Sequence, residues 1–210
     1  WGGFEGPRPV GVAGVLVGLA ISPVLGAAVA WLVVRVSRRR VLRATTAVRR
    51  PVLQGEWLAS ATLAFTHGAN DAQKTMGVLT LALVAGGVIP TFVVPLWVKL
   101  LCGAALTVGT ALGGWRIVHT IGRTIYRLRP VDGLVSSGSS TLIIGAASMV
   151  GAPVSTTHVV SSSVVGVGAA RHARHVGWRI VREILLAWLV TMPACALMAA
   201  ALVAAWKVVS

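Results

Sequence analysis

A short run of polar side chains, "HGANDAQK" at residues 67–74, interrupts a stretch that is otherwise apolar. It places a histidine, an asparagine, an aspartate, a glutamine and a lysine within eight residues. Amide and carboxylate oxygens are the ligands that a hard cation such as Na⁺ prefers. We therefore expect Asn70, Asp71 and Gln73 to bind a cation, with Asn70 and Asp71 as the metal ligands if that cation is sodium.

Asp71 is the only one of the five acidic residues that lies inside an apolar stretch. A carboxylate at membrane depth costs a few kcal/mol even on the mildest scale, and such a group usually marks a path for ions or protons. Gly68 predicts a helix break that would free backbone carbonyls as further ligands. The alternative is an internal ion pair of Asp71 with Lys74, which would leave Asn70 and Gln73 unexplained. Lys74 is also a candidate to neutralise an anionic substrate.

A second polar run, "GAPVSTTH" at residues 151–158, has the composition of a helix start. Proline is tolerated in the first turn of a helix, and serine or threonine caps the free amides. The exposed N–H groups and the positive end of the helix dipole attract anions. Ser155, Thr156 and Thr157 are therefore expected to bind an anion such as phosphate or sulfate. The alternative is a helix kink whose hydroxyl groups bond back to the chain.

Two histidines, His67 and His158, each adjoin one of these runs. Both are candidates for a proton path, and both also fit hydrogen-bonded packing residues. No carboxylate or cysteine has zinc-ligand spacing to them, so no zinc site is expected. Ser155 with His158 is the best nucleophile–base pair available, and it does not make a credible enzyme. No cofactor is expected beyond a transported ion.

The composition indicates a membrane protein that positions these residues on helices. The 210 residues are 56% hydrophobic and 11% charged, with a mean hydropathy of +0.83, whereas soluble domains are about 25% charged. The net charge of +14 lies mainly in basic stretches between apolar spans. That distribution is typical of cytoplasmic loops rather than of a nucleic-acid surface. We predict an all-α membrane protein without a nucleic-acid partner.

The apolar pattern predicts four crossings of the bilayer, because each apolar stretch reaches the roughly 20 residues that a spanning helix needs. The first is followed by a basic loop at residues 37–56, which the positive-inside rule places in the cytoplasm. Residues 113–130 show arginines and isoleucines at helical spacing and predict an amphipathic surface helix. The predicted crossings are residues 10–36, 57–88, 91–112 and 178–206.

Residues 133–170 lie between two basic segments that are both expected in the cytoplasm, so they cross the bilayer either twice or not at all. Their apolar arms, 141–150 and 159–167, each reach about 15 Å, which is half of a hydrocarbon core of about 30 Å. We therefore predict a re-entrant helical hairpin over 133–170, with "GAPVSTTH" at its tip near the middle of the membrane.

The two polar runs, in the form "HGANDAQKTMG" and "GAPVSTTHVVSSSVVGVG" roughly 80 residues apart, resemble the inorganic phosphate transporter (PiT) family. The resemblance implies a secondary transporter that couples phosphate to Na⁺ or H⁺. It also implies a fold of two inverted repeats, of which this chain resembles the C-terminal one. By the same resemblance, Asn70, Asp71 and Gln73 bind the cation, and the Ser155–Thr157 hydroxyls contact phosphate.

Two departures from the family pattern affect what the chain is expected to do alone. The sequence contains a single Asn-Asp motif, whereas the family carries another in its N-terminal repeat. Residues 133–137 read "GLVSS" where many relatives have Gly-Phe-Ala-Ala-Glu, so Ser137 occupies the position of a carboxylate. The chain is thus expected to supply half of a site.

The combined interpretation is a single transmembrane domain, residues 1–210, that forms half of an inverted-repeat phosphate symporter. Its expected partners are inorganic phosphate, the coupling cation, the lipid bilayer and the missing N-terminal repeat in cis or in trans, and a homo-oligomer is left open. The expected location is the bacterial plasma membrane. The alternatives are a sulfate carrier and a structural or regulatory membrane subunit that does not transport.

Overall fold

The computed structural model describes residues 4–5, 8–9, 11–41, 49–119, 124–152 and 154–209. After a two-residue strand pair, β1 and β2, the described chain is built from six helices and one 3₁₀ turn, Ala173–His175. The prediction of an all-α membrane protein is confirmed. The elements are β1 (Phe4–Glu5), β2 (Arg8–Pro9), α1 (Gly11–Val41), α2 (Arg49–Ala85), α3 (Leu96–His119), α4 (Pro130–Val150), α5 (Thr156–His172) and α6 (Trp178–Val209).

Among the described residues, four helices are long and apolar enough to cross a membrane. They agree with the predicted crossings except at two places. The predicted crossing 57–88 falls in α2, which is not among the four, and α4 is among them although it was expected to be half of a hairpin. The four spans are Ala13–Ser37, Leu96–Trp115, Pro130–Val150 and Trp178–Ala205.

The chain forms two compact units, Trp1–Val176 and Gly177–Ser210. The first contains α1 to α5 and all of the residues singled out above. The second consists of α6, an apolar helix with Pro193 in its interior.

Helix α2 runs without interruption through Gly68, so the predicted helix break is wrong. A glycine inside a helix costs only about 1 kcal/mol relative to alanine, which the neighbouring turns tolerate. Backbone carbonyls near Asp71 are therefore engaged in the helix and do not form the additional cation ligands that the break would have supplied.

Two further predicted segments also change. The amphipathic surface helix over 113–130 is wrong: its first residues extend α3 to His119, and residues 126–129 are irregular, while 120–123 lie outside the described residues. The basic loop 37–56 is shorter than expected, because α1 continues to Val41 and α2 begins at Arg49. Residues 42–48 lie outside the described part.

The hairpin formed by α4 and α5 is longer than the apolar arms suggested. Its helices contain 21 and 17 residues, about 31 Å and 26 Å at 1.5 Å per residue. The serines in "SSGSS", residues 136–140, are accommodated inside α4, where three of them are buried against other helices. Length alone therefore does not require a re-entrant course, and the re-entrant topology remains a prediction.

Helix α5 packs against α1 at backbone contact distance. A Cβ atom placed on Gly166 would lie 2.9 Å from the carbonyl carbon of Ala27, and one placed on Gly26 would lie 2.6 Å from the carbonyl oxygen of Val159. Small residues permit such close approach of membrane helices. Next to this contact, Ala30, Val34, Val167 and Ala170 form a buried apolar cluster.

Helix α2 packs alongside α4 in the same direction. Gly55 faces the Leu134 side chain near the beginning of both helices, and Asn70 contacts Ser148 near the end of α4. This parallel alignment brings the polar run of α2 to the level of the turn between α4 and α5.

Candidate functional site at the hairpin tip

One face of α2 carries the first part of the site. His67, Asp71 and Lys74 are spaced by four and three residues, so their side chains lie on the same side of the helix. His67 Nε2 lies 3.1 Å from Asp71 Oδ2, and Lys74 Nζ lies 3.2 Å from Asp71 Oδ1. The Asp71 side chain is 31% exposed and that of Lys74 is 48% exposed, so both remain accessible to a ligand.

The turn between α4 and α5 supplies the second part. Helix α4 ends at Val150, and Gly151 is its C-cap. The φ of Gly151 is 70°, in the left-handed region that favours glycine. Helix α5 then begins at Thr156 with Ser155 as its N-cap, because the Ser155 Oγ accepts a hydrogen bond of 3.3 Å from the His158 amide. The predicted helix start is therefore present, while Pro153 lies outside the described residues.

The two parts meet at Asp71. The Thr156 Oγ1 lies 3.3 Å from each carboxylate oxygen of Asp71, so its single proton can be donated to either. Lys74 Nζ also donates to the Val154 carbonyl oxygen at 2.9 Å. Residues 85 positions apart in sequence thus form one polar cluster. The ion pair of Asp71 with Lys74 is part of this cluster and does not exclude a binding role.

The beginning of α5 retains groups that can bind an anion. The amides of Thr156 and Thr157 have no hydrogen-bond partner within the described chain, as is usual in the first turn of a helix. The Thr157 side chain is exposed. Ser155 is already engaged, because its hydroxyl caps the helix and its amide donates to the Ser22 Oγ at 3.1 Å. The candidate anion donors here are therefore two amides, the exposed Thr157 hydroxyl and the half-exposed Lys74 ammonium.

Oxygen atoms that can bind a cation lie on α2. Asn70 is only 5% exposed, and its Nδ2 donates to the Ser148 Oγ at 2.9 Å. Its Oδ1 is buried and has no hydrogen-bond partner among the described residues. An unsatisfied buried acceptor is costly, and a bound cation would satisfy it. The Asn70 amide oxygen and the Asp71 carboxylate are consequently suited to Na⁺. The described residues contain no group of three His, Cys, Asp or Glu side chains that could hold a metal ion.

The contacts of Asp71 with described residues include neither Gln73 nor His158. Gln73 is exposed and makes no hydrogen bond to the other members of the cluster, since positions two apart on a helix point in different directions. His158 has its Nδ1 3.4 Å from the carbonyl oxygen of Leu19, on α1. Of the two histidines proposed for a proton path, His67 alone contacts the carboxylate.

Three contributors were missed by the sequence reasoning. Ser22 anchors the Ser155 amide, Ser148 holds Asn70, and the Val154 carbonyl accepts from Lys74. Ser22 carried a detectable signal, because it is the one polar side chain in the predicted span before Arg35. Ser148 and the backbone of Val154 are indistinguishable in sequence from ordinary helix and turn positions.

Comparison with known proteins points to one family. The sequence profile described as "Phosphate transporter family" matches residues 46–199. A probable low-affinity inorganic phosphate transporter of Rhizobium meliloti (strain 1021) is 39% identical over 184 residues, which is 87% of this chain and 55% of that relative. One of the same description from Bacillus subtilis (strain 168) is 40% identical over 144 residues, covering 68% of this chain and 43% of the relative.

A eukaryotic protein is also similar. Sodium-dependent phosphate transporter 1-B of Danio rerio is 37% identical over 148 residues, which is 69% of this chain and 22% of that protein. This chain therefore spans about half the length, or less, of the curated relatives it matches. No solved structure matches the chain significantly.

Proposed function

The chain belongs to the phosphate transporter family, and from that premise we propose that it forms part of a symporter that moves inorganic phosphate together with Na⁺ or H⁺. It is a multi-pass membrane protein, and its bacterial relatives agree with a location in a bacterial membrane. Its relatives are named as transporters, and the chain is not an enzyme. Because it covers only part of their length, we propose that a second repeat, in cis or in trans, completes the site.

The contact of Thr156 with Asp71 carries this proposal. It joins the helix start that can bind an anion to the carboxylate that can bind a cation, at 3.3 Å. In the proposed site, phosphate contacts the Thr156 and Thr157 amides, the Thr157 hydroxyl and Lys74. The cation contacts Asp71 and the Asn70 oxygen. Ser155 positions the helix start by capping it and does not itself contact phosphate in this arrangement.

Electrostatics gives the coupling a physical basis. An ionised Asp71 repels an anion bound at the adjacent helix start, and two unit charges about 4 Å apart interact by about 4 kcal/mol at an effective dielectric constant of 20. Na⁺ or H⁺ on Asp71 removes that repulsion. Cation binding therefore raises the affinity for phosphate, and by linkage phosphate raises the affinity for the cation by the same factor.

Different observations support each coupling ion. The buried Asn70 oxygen, which has no hydrogen-bond partner among the described residues, favours Na⁺, and the relative from Danio rerio is named sodium-dependent. The contact of His67 with Asp71 would serve a proton equally well. In either case alternating access is expected to expose the site at the hairpin tip to one side of the membrane at a time.

Uptake into proteoliposomes that contain the complete transporter tests the proposal. Radiolabelled phosphate is expected to accumulate under an inward Na⁺ gradient, an inward proton gradient or both, and comparison of the two gradients identifies the ion. Radiolabelled sulfate serves as the matched anion. Accumulation of sulfate in preference to phosphate would indicate the sulfate carrier, and accumulation of neither would favour a structural subunit.

A further inference from the structure

A second group of charged residues lies at the base of the hairpin, the end of α4 and α5 away from the tip. Asp132 in the first turn of α4 is completely buried and forms an ion pair with Arg171 in the last turn of α5. The second oxygen of this carboxylate accepts the Arg129 amide at 3.2 Å. The ion pair thus fastens the beginning of α4 to the end of α5, and neither residue belongs to the site at the tip.

Packing around Gly168 brings the two flanking segments to the same place. A Cβ atom on Gly168 would lie 2.8 Å from Val176 Cγ2 and 3.0 Å from Tyr126 Cδ2. Residues 126–129, which precede α4, and residues 173–176, which follow α5, therefore adjoin one turn of α5. The pKa of Tyr126 is raised, first by burial and then by the charge of Asp132, and it is lowered in part by Arg171 and Arg129. The charges of Asp132, Arg171 and Arg129 are consequently all close to the Tyr126 ring.

The segments carry positive charge that the described acidic residues do not balance. Arg127 and Arg129 are exposed on one segment, and Arg174 is exposed on the other. Asp132 is committed to Arg171, and Glu56, which is close to Gly133, is the other described acid at this end of the first unit. Within the described part of the chain, none of the three exposed arginines makes an ion pair. We call them the base arginines.

Two histidines add to this surface. His172 and His175 are exposed, and their rings lie edge to face with centroids 5.5 Å apart. Each can donate a hydrogen bond from a ring nitrogen. The base of the hairpin therefore presents the three base arginines and two histidine hydrogen-bond donors. They lie next to the ion pair of Asp132 with Arg171.

We propose that the base arginines bind the phosphate group of an anionic phospholipid from the leaflet that faces the hairpin base. Guanidinium groups bind phosphate oxygens through paired hydrogen bonds, and clustered basic residues at a membrane surface attract anionic headgroups. The surface is separate from the proposed substrate site, since Asp132 and Ser148 are 16 positions, about 24 Å, apart on α4. A headgroup bound between the two segments would join the outer ends of both hairpin helices.

Lipid selection by the purified protein tests this proposal. The full chain is reconstituted in nanodiscs of phosphatidylcholine with a minor fraction of phosphatidylglycerol, and native mass spectrometry measures which lipid stays bound. The test variant is Arg127→Gln/Arg129→Gln/Arg174→Gln. The control is Arg35→Gln/Arg179→Gln/Arg182→Gln, which removes the same charge from exposed arginines outside the two segments.

The wild-type protein and the control are expected to retain phosphatidylglycerol selectively. The test variant is expected to lose that selectivity by on the order of 100-fold, since each arginine near an anionic surface contributes about fivefold. Equal loss in both variants would overturn the proposal, because it would show a diffuse charge effect. Displacement of the lipid by inorganic phosphate alone would also overturn it and would identify free phosphate as the ligand. The measurement is independent of uptake, so it can fail while the transport proposal stands.

Discussion

Asp71 contacts partners on two helices, α2 and α5. His67 and Lys74 come from its own helix, and their spacing could be read directly from the sequence. Thr156 comes from α5, and its contact with Asp71 depends on the tertiary packing of α2 against the hairpin. The sequence therefore predicts a cation site and an anion site as two separate hypotheses. The hydrogen bond that joins them, and the Ser22 and Ser148 anchors, follow from packing that no local pattern contains.

Thr156→Val tests whether this hydroxyl links the two halves of the site. In the wild-type transporter, raising the cation concentration is expected to lower the KM for phosphate. In Thr156→Val the factor by which the cation lowers the KM for phosphate is expected to be about tenfold smaller. The reason is that a hydrogen bond to a charged group contributes roughly 1.5–3 kcal/mol. Kinetics of phosphate uptake at several cation concentrations measure the effect.

Two further variants make the Thr156 result specific. Thr156→Ser keeps the hydroxyl and is expected to preserve the coupling. Thr107→Val removes a hydroxyl that bonds back to the Gly103 carbonyl on α3, and no change is expected. Coupling in Thr156→Val that equals the wild type would exclude the proposed link.

Lys74→Gln separates the substrate role of this residue from simple neutralisation of Asp71. Because Lys74 is half-exposed beside the free amides of α5, loss of its charge is expected to raise the KM for phosphate by about tenfold or more. Lys74→Arg retains the charge and is expected to have a smaller effect. An unchanged KM in Lys74→Gln would restrict Lys74 to the ion pair with Asp71.

At the scale of elements, the sequence predicted which segments are helical better than it predicted where they end. The start of α5 was predictable, because serine and threonine cap helices through local hydrogen bonds. The course of α2 through Gly68 was not, since neighbouring residues decide whether a helix tolerates a glycine. The serines at the beginning of α4 suggested a shorter arm, yet they are helical because other helices cover them.

Gly166→Ala tests the close contact of α1 and α5 that supports the hairpin. The added Cβ would lie 2.9 Å from the Ala27 carbonyl carbon, so the helices must separate. Overpacking of this kind costs about 1–3 kcal/mol and lowers the melting temperature of a chain this size by about 2–12 °C. Gly103→Ala is the matched control, because its Cβ would meet nothing within 4 Å. Equal melting temperatures for the two variants would contradict the packing.

Cysteine labelling decides the course of the hairpin through the membrane. With Cys102 and Cys195 replaced, single cysteines at 138 and 172 are expected to react with an impermeant reagent from the cytoplasmic side. Both positions can accept the change, because a Cβ at Gly138 meets open space and His172 is exposed. A cysteine at 152, at the tip, is expected to resist a bulky reagent added outside.

Labelling of position 138 or 172 only from outside would refute the predicted orientation. Rapid labelling of position 152 from outside would show that α4 and α5 cross the bilayer completely, which their lengths permit. The re-entrant topology would then be replaced by two full spans, and the site would lie near the outer surface.

At the scale of the whole molecule, the first unit contains both the proposed cation site and the helix start proposed to bind an anion. The chain carries one Asn-Asp motif and covers 55% of the Rhizobium meliloti relative. In the proposed transporter the second repeat faces this surface and supplies the remaining ligands. The single motif is the sequence feature from which a half-site is predicted, whereas the surface that a second repeat would present cannot be read from these residues.

Uptake of radiolabelled phosphate by the Asp71→Asn variant of the complete transporter is the most direct test of the central claim, that one carboxylate couples cation binding to phosphate binding. Asparagine has nearly the same size and keeps a carbonyl oxygen, but it carries no charge that Na⁺ or H⁺ binding could neutralise. We expect cation-driven accumulation to be abolished while the variant still folds and inserts. Undiminished, cation-dependent accumulation by Asp71→Asn would contradict the account.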